Sequence, residues 1–191
     1  MKTLLFASAV MAGDLPCDFS FNIVTDPSDS NRFKIEASVP ENMYLGIAYG
    51  SGMNQVDLVR FVGADDGTIE DLWGTGYWTP TTDDQQDYVG TTAELEDGIY
   101  NFVTYRDLIT TDSDQDFQFN SCDQSLSFKW VANTNKAAMS KHTDSGEFTL
   151  DVASDCSISM TELPTCSSED GESSAATIVS SSILLLGYLM V

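Results

Sequence analysis

The stretch Phe33-Lys34-Ile35-Glu36-Ala37-Ser38-Val39 alternates an apolar residue with a polar or charged one at every step. This two-residue period is typical of a β-strand that turns one face toward a core and the other toward water. The same period recurs in two later segments, whose apolar positions are Leu126, Phe128, Trp130 and Ala132, and then Phe148, Leu150 and Val152. The repeated pattern predicts a fold built from strands.

Three further segments complete the predicted set of strands. The run from Tyr44 to Tyr49 is continuously apolar, as in a strand buried on both faces, and residues 55–62 and 98–105 also have strand composition. Turn-forming residues separate the strands, at positions 26–31, 63–67 and 96–98. No helical period with caps occurs within residues 14–165. This pattern predicts an all-β, antiparallel, immunoglobulin-like β-sandwich whose loops gather at its two ends.

The beginning of the chain has the features of a secretory signal. Lys2 supplies one positive charge, a short apolar run follows, and small residues lead up to Gly13. The apolar run is shorter than the ~20 residues that span a bilayer. We therefore predict that residues 1–13 form a cleaved signal peptide and that residues 14–165 form one folded domain.

The end of the chain combines a polar segment with an apolar tail. Residues 166–174 are rich in serine and acidic residues, and residues 175–191 have no basic residue behind their apolar run. This order is typical of a glycosylphosphatidylinositol attachment signal, with Gly171 or Ser173 as the attachment residue. A tail anchor is the alternative, but the apolar segment is short of the ~20 residues needed to span. We expect a lipid-anchored protein on the extracellular face of the cell membrane.

The chain has four cysteines, an even number in a chain that is predicted to enter the secretory pathway. Disulfides are the expected use of such cysteines. Three pairings are open, and the residues are Cys17, Cys122, Cys156 and Cys166. A zinc site made from all four is disfavoured because the sequence contains no Cys-x-x-Cys pair.

The formal net charge is −22 and is spread along the chain. Such a surface repels nucleic acid and favours basic proteins or small neutral and cationic molecules as partners. The segment from Asp112 to Asp116 resembles the start of a calcium-binding loop. It departs from that pattern because Phe117 stands at the sixth position and Asp123 at the twelfth, so it is predicted to be a solvated turn.

Two residues are candidate ligands of a metal or haem iron. His142 is the only histidine, and imidazole is the commonest protein ligand of transition metals. Met53 stands between glycines and the strand predicted at residues 55–62. Both residues fall in predicted loops, where binding residues are frequent, but periodicity does not decide whether the two loops share one end of the sandwich. Met43 and Met139 are alternative sulfur ligands.

The order of these features resembles the DOMON domain, an extracellular β-sandwich found in dopamine β-monooxygenase, in cellobiose dehydrogenase cytochromes and in plant membrane cytochromes. The resemblance covers nearly all of residues 17–153. The matching residues are Leu45 to Val59, Asp71, Trp73 to Tyr77, Pro80, Asp84 to Asp87, Asp116 to Phe119, Ser127 to Ala132, His142, Gly146, and Phe148 to Val152.

The resemblance implies a cofactor and its ligands. In haem-binding members, a methionine before a Val-Asp-Leu-like strand and a histidine before the last strand are the axial ligands of haem b. Here these residues are Met53 and His142. The chain has no Cys-x-x-Cys-His signature, so the haem would be non-covalent. Ligation by both residues leaves no open coordination position and suits electron transfer rather than catalysis.

The resemblance therefore implies a single-domain, lipid-anchored b-type cytochrome, similar to plant auxin-induced DOMON proteins, that exchanges electrons with a redox partner protein or a small reductant. Other DOMON domains lack the ligand pair. The alternative is a haem-free module that binds carbohydrate or another small ligand, for which the aromatic segment 73–78 offers suitable side chains. A third interpretation is an acidic surface coat or adhesion protein.

Overall fold

A computed structural model describes residues 15–50, 52–76 and 79–161. It contains no helix within these ranges, and its strands are β1 (Ser20–Asp26), β2 (Asp29–Pro40), β3 (Tyr44–Tyr49), β4 (Asn54–Val62), β5 (Thr68–Thr75), β6 (Thr81–Thr82), β7 (Val89–Glu96), β8 (Ile99–Asp107), β9 (Gln124–Asn133), β10 (Asp144–Val152) and β11 (Ile158–Met160). The predicted signal peptide, the predicted attachment residues Gly171 and Ser173, and the apolar tail lie outside the described residues. Across the described ranges, no helix is long and apolar enough to cross a membrane.

The strands form one antiparallel ladder in the order β6-β5-β4-β3-β9-β10-β11-β1-β2-β8-β7. The ladder curves over on itself, so that β2 meets β3 and β4 from the facing layer. The result is an antiparallel β-sandwich, which confirms the predicted all-β fold class. In a fold of this kind, adjacent antiparallel strands place their successive loops at alternate ends of the sandwich.

The core consists of the inward residues of the alternating strands. In β2, Phe33, Ile35 and Val39 are completely buried, while the intervening residues Lys34, Glu36 and Ser38 are more exposed. In β9, Trp130 is completely buried at an inward position. Each such side chain contributes about 1.5–3 kcal/mol through removal of apolar surface from water. The predicted alternation in these strands is therefore confirmed.

Glycine permits a close approach between β9 and β10. Gly146 pairs directly with Trp130 across the two strands. A Cβ atom at position 146 would lie 2.6 Å from atoms of the Trp130 indole ring. The ring therefore occupies space that any other residue at position 146 would need.

A disulfide joins Cys122, just before β9, to Cys156, just before β11. The backbone supports this connection, since the Asp123 amide donates to the Ala153 carbonyl at 3.2 Å. The predicted use of cysteine is confirmed for this pair. Cys17 is also disulfide-bonded, and Cys166 lies outside the described residues.

Candidate functional site

Met53 lies in the turn between β3 and β4, beside a cavity at that end of the sandwich. The cavity has a volume of about 600 Å³, and its lining includes Tyr49, Gly52, Met53, Asn54, Val56 and Phe117. A volume of this size is typical of sites for small organic ligands. The Met53 side chain is 42% exposed, unlike the large apolar residues of the core. The thioether is thus accessible to a molecule in the cavity.

Aromatic rings form the inner wall of this cavity. Tyr49 is buried and packs edge-to-face on Phe128 at 5.4 Å between ring centroids, and Phe117 packs on Phe119 at 4.9 Å. Edge-to-face contacts of this kind fix the ring orientations and add to the energy of burial. Val56, which lines the cavity, packs closely on Gly74, since a Cβ at Gly74 would lie 2.5 Å from a methyl group of Val56. The wall is therefore apolar and ordered.

His142 lies in the loop between β9 and β10. The Thr143 amide beside it donates to the Ala132 carbonyl at 2.8 Å, and Ala132 pairs with Leu45 near the start of β3. The Tyr44 hydroxyl also donates to the Ser140 carbonyl. These contacts hold the His142 loop against the beginning of β3, whereas Met53 follows its end.

The strand register gives the separation of the two residues. Leu45, beside the His142 loop, pairs with Phe61 in β4, and Asn54, the first residue of β4, directly follows Met53. At about 3.3 Å per residue, the length of β4 between Phe61 and Asn54 is more than about 20 Å. Bonds of about 2.0–2.3 Å from a metal to nitrogen or sulfur require two axial ligands to lie within ~5 Å of each other. In this arrangement, Met53 and His142 do not fit the two axial positions of one haem.

The alternative sulfur ligands lie at the His142 end. The Met139 sulfur accepts a hydrogen bond from Arg60 Nη1 at 3.2 Å. Met43 directly precedes β3, packs against the core and accepts a backbone bond from Gly63 at 2.9 Å. Neither residue borders the cavity beside Met53. Of the aromatic segment 73–78, Trp73 lies in β5, and residues 77 and 78 are outside the described part of the chain.

A buried charged cluster adjoins the inner wall of the cavity. Asp57 in β4, Asp71 in β5, Arg106 in β8 and Asp116 in the segment before β9 are all buried, and Arg106 is completely so. Arg106 Nη2 donates to Asp57 Oδ2 at 2.9 Å and lies 3.0 Å from Asp116 Oδ1. The Phe117 amide also donates to Asp57 Oδ2 at 2.9 Å, which connects the cluster to the cavity wall.

Burial weakens the acidity of these carboxyl groups. Desolvation raises the pKa of Asp57 to about 7, although the Arg106 charge acts in the opposite direction. It raises the pKa of Asp71 to about 8, opposed by the hydrogen bond from the Asp87 amide. Burial, followed by contact with Asp116, raises the pKa of Asp87 to about 6. The site therefore disfavours several negative charges at once unless a cation is near.

The sequence interpretation missed this cluster as a possible site. Asp112 does form the predicted turn, because its Oδ1 accepts from the amides of Asp114 and Gln115 at 3.1 Å. Asp116, at the end of the same segment, is instead buried. The sequence did contain an indication of this cluster. Arg106 continues the inward-facing alternation of Phe102 and Thr104, so a charged residue stands where an apolar residue is expected.

Comparison with known proteins identifies the family of this fold. The family model of the DOMON domain matches residues 16–134, a range that includes Met53 and ends before His142. The chain belongs to the DOMON domain family. No curated protein sequence matches the chain.

Two solved structures have folds similar to this DOMON domain. One is the cytochrome domain of Myriococcum thermophilum cellobiose dehydrogenase, which is 12% identical with a TM-score of 0.55, over 72% of this chain and 76% of that chain. The other is the cytochrome b domain of pyranose dehydrogenase from Coprinopsis cinerea, which is 15% identical with a TM-score of 0.50, over 72% of this chain and 78% of that chain. At these identities the similarity establishes a shared fold.

Proposed function

We propose that this DOMON domain binds a flat, largely apolar ligand in the cavity beside Met53, and that the ligand is haem b. The protein then acts as a single-electron carrier. The observation that carries the proposal is the exposed thioether of Met53 beside an aromatic-walled cavity of about 600 Å³. Methionine is one of the few residues that ligate haem iron in electron-transfer proteins.

The residues around the cavity fit haem on one face. Met53 would ligate the haem iron, and the Tyr49 and Phe117 rings would offer an apolar wall for the flat macrocycle. His142 lies beyond the other end of β3 and does not complete the coordination in this arrangement. Bound haem supplies one-electron redox chemistry, and the part of the protein is to hold it and exclude water.

The fold similarity supports haem over other flat ligands. Both solved structures described above are cytochrome domains. We assign haem to this chain only as part of the proposal, because identities of 12% and 15% establish a shared fold and not a shared cofactor. Met53 lies within the range matched by the family model.

The proposal includes a place of action and a class of partner. A signal peptide at residues 1–13 and lipid attachment at Gly171 or Ser173 would hold the domain at the outer face of the cell membrane. The net charge of −22 favours a redox partner protein with a basic docking face, or a small reductant. We do not expect nucleic acid as a partner.

A visible spectrum of the secreted domain tests the proposal. The protein, expressed with haem supplied and freed of unbound haem, is measured oxidised and after dithionite reduction. We expect a Soret band with a stoichiometry of about one haem per chain and a reversible change on reduction. A natively folded protein that retains no Soret band after incubation with excess haem contradicts the proposal.

A haem-free binding module is the second candidate. The separation of Met53 from His142 favours this candidate, because two residues more than about 20 Å apart cannot both coordinate one iron. In this case the same cavity binds a carbohydrate or another small neutral molecule. Thermal-shift and calorimetric titrations with neutral oligosaccharides distinguish this candidate, since saturable binding by protein without a Soret band supports it.

A further inference from the structure

The buried charged cluster has the geometry of a cation site. One carboxylate oxygen from each of Asp57, Asp71 and Asp116 lies within 4.8 Å of the other two. Oxygens that bind one Ca²⁺ at 2.3–2.6 Å lie no more than ~5 Å apart, because the ion's coordination sphere has that diameter. The three carboxylates are thus close enough to share a single ion.

Within the described part of the chain, Asp57 and Asp71 each accept hydrogen bonds through one oxygen and leave the other without a donor, and the Asp116 carboxylate has only an ion pair with Arg106. Asp57 Oδ2 accepts from Arg106 and Phe117, Asp71 Oδ2 accepts from the Asp87 amide at 2.9 Å, and Asp116 Oδ1 is paired with Arg106. Among the described residues, the carboxylate oxygens of these three aspartates that have no hydrogen-bond partner are Asp57 Oδ1, Asp71 Oδ1, Asp116 Oδ1 and Asp116 Oδ2. Nearly all buried polar atoms in native proteins have a bonding partner, so these oxygens indicate an additional partner such as an ion or a water molecule.

Polar groups next to the cluster also lack hydrogen-bond partners. Tyr49 is buried, and its hydroxyl oxygen has no hydrogen-bond partner at normal distance in the described structure; the same is true of the Tyr88 hydroxyl. Burial is the main cause that raises the pKa of both tyrosines, and the charges of Asp57 and Asp71 add to it, so both hydroxyls lie near the cluster. Asp87 Oδ2 is also buried without a donor, and Asp87 contacts Asp116. Buried polar atoms without a hydrogen-bond partner therefore occur both in the three aspartates and in residues that interact with them.

The charges point to a divalent ion. The three carboxylates together with Arg106 carry a formal charge of −2 when all are ionised, in a region almost closed to water. A divalent cation would neutralise that charge. The set contains only oxygen donors, which suit hard cations, and the flexible coordination of Ca²⁺ accepts irregular carboxylate sets more readily than the octahedral geometry of Mg²⁺.

We propose that Asp57, Asp71 and Asp116, with Asp87 beside them, bind one Ca²⁺ between β4, β5 and the segment that precedes β9. The ion would join three parts of the chain and hold Phe117, a cavity-lining residue whose amide contacts Asp57. The proposal does not depend on haem binding, since none of the four aspartates lines the Met53 cavity.

The test compares the secreted protein with two variants after chelator treatment and removal of the chelator. Asp71→Asn keeps the size of the side chain and an oxygen for the Asp87 amide, and it removes one buried charge, so the variant is expected to fold. Asp114→Asn is the matched control, because Asp114 is exposed in the neighbouring turn. Calorimetric titration and thermal unfolding are measured with CaCl₂ and with MgCl₂.

We expect the wild-type protein and Asp114→Asn to bind about one Ca²⁺ and to unfold at a higher temperature with Ca²⁺ than without it. We expect Asp71→Asn to bind Ca²⁺ at least about tenfold more weakly and to lose most of the thermal shift. The proposal is overturned if the metal-depleted wild type shows neither heat nor shift with millimolar Ca²⁺, or if Asp71→Asn binds as tightly as the control. Equal affinity for Mg²⁺ would refute the choice of calcium.

Discussion

Met53 and His142 lie beyond opposite ends of strand β3. The loop that carries His142 is hydrogen-bonded to Ala132 of β9, which pairs with Leu45, and to Tyr44 at the start of β3, whereas Met53 lies beyond Tyr49 at the end of β3. Because of this separation, we expect the two residues to contribute differently to ligand binding in the cavity. Met53 belongs to the aromatic-walled cavity, whereas the contacts of the His142 loop are with the opposite end of the sandwich. The two residues therefore give different predictions in haem-binding experiments.

Arg106 is expected to be essential for stability. Replacement with Met leaves Asp57 and Asp116 buried without their cation, which typically costs about 3–5 kcal/mol in the free energy of unfolding. Urea denaturation measures this loss. Lys34→Met is the control, because Lys34 forms a partly exposed ion pair with Glu36, worth less than about 1 kcal/mol. Similar small losses in both variants would show that the cluster does not need its guanidinium.

Gly146→Ala is expected to destabilise the β9–β10 hairpin. The added methyl group would meet the Trp130 ring at 2.6 Å, and a completely buried ring has little room to move. Overpacking of this kind costs about 1–3 kcal/mol. Gly52→Ala is the control, since nothing lies within 4 Å of a Cβ at position 52. Equal thermal unfolding temperatures for the two variants would contradict the described packing.

Asp26 is expected to contribute stability that disappears in acid. Hydrogen bonds from Ser28, and then from Arg32, lower the pKa of Asp26 from 3.8 to about 2. Because the folded-state pKa is the lower one, the contribution is complete above about pH 4 and declines as the pH falls toward 2. Asp26→Asn should therefore be less stable than wild type at pH 6 and nearly equal to it at pH 2. A constant difference between the two proteins across this range would exclude the linkage.

Some of the strands that the sequence predicted have a clear contrast between their two faces, whereas β3 was predicted from a continuous apolar run and is buried on both faces. β2, β9 and β10 alternate buried and more exposed residues, and the alternation was visible as apolar and polar letters. β7 was not predicted because almost all of its residues are exposed, so neither face is apolar. β5 was not predicted either, and there the buried Asp71 occupies a position where an apolar residue would have marked the inner face.

The candidate site depended on information that local patterns do not contain. Met53 and His142 were correctly assigned to loops, but the end of the sandwich at which each loop lies is set by the antiparallel pairing of β3 with β9. The partners of that pairing are far apart in the sequence. The burial of Asp57, Asp71 and Asp116 around Arg106 follows from the same long-range pairings.

Haem titration of Met53→Ala and His142→Ala, followed by the Soret band, tests the central claim most directly. The claim is that the Met53 cavity holds the haem without help from His142. We predict that Met53→Ala loses at least about tenfold in haem affinity, while His142→Ala binds haem like the wild-type protein. The opposite result, with haem binding lost in His142→Ala and retained in Met53→Ala, would contradict the account.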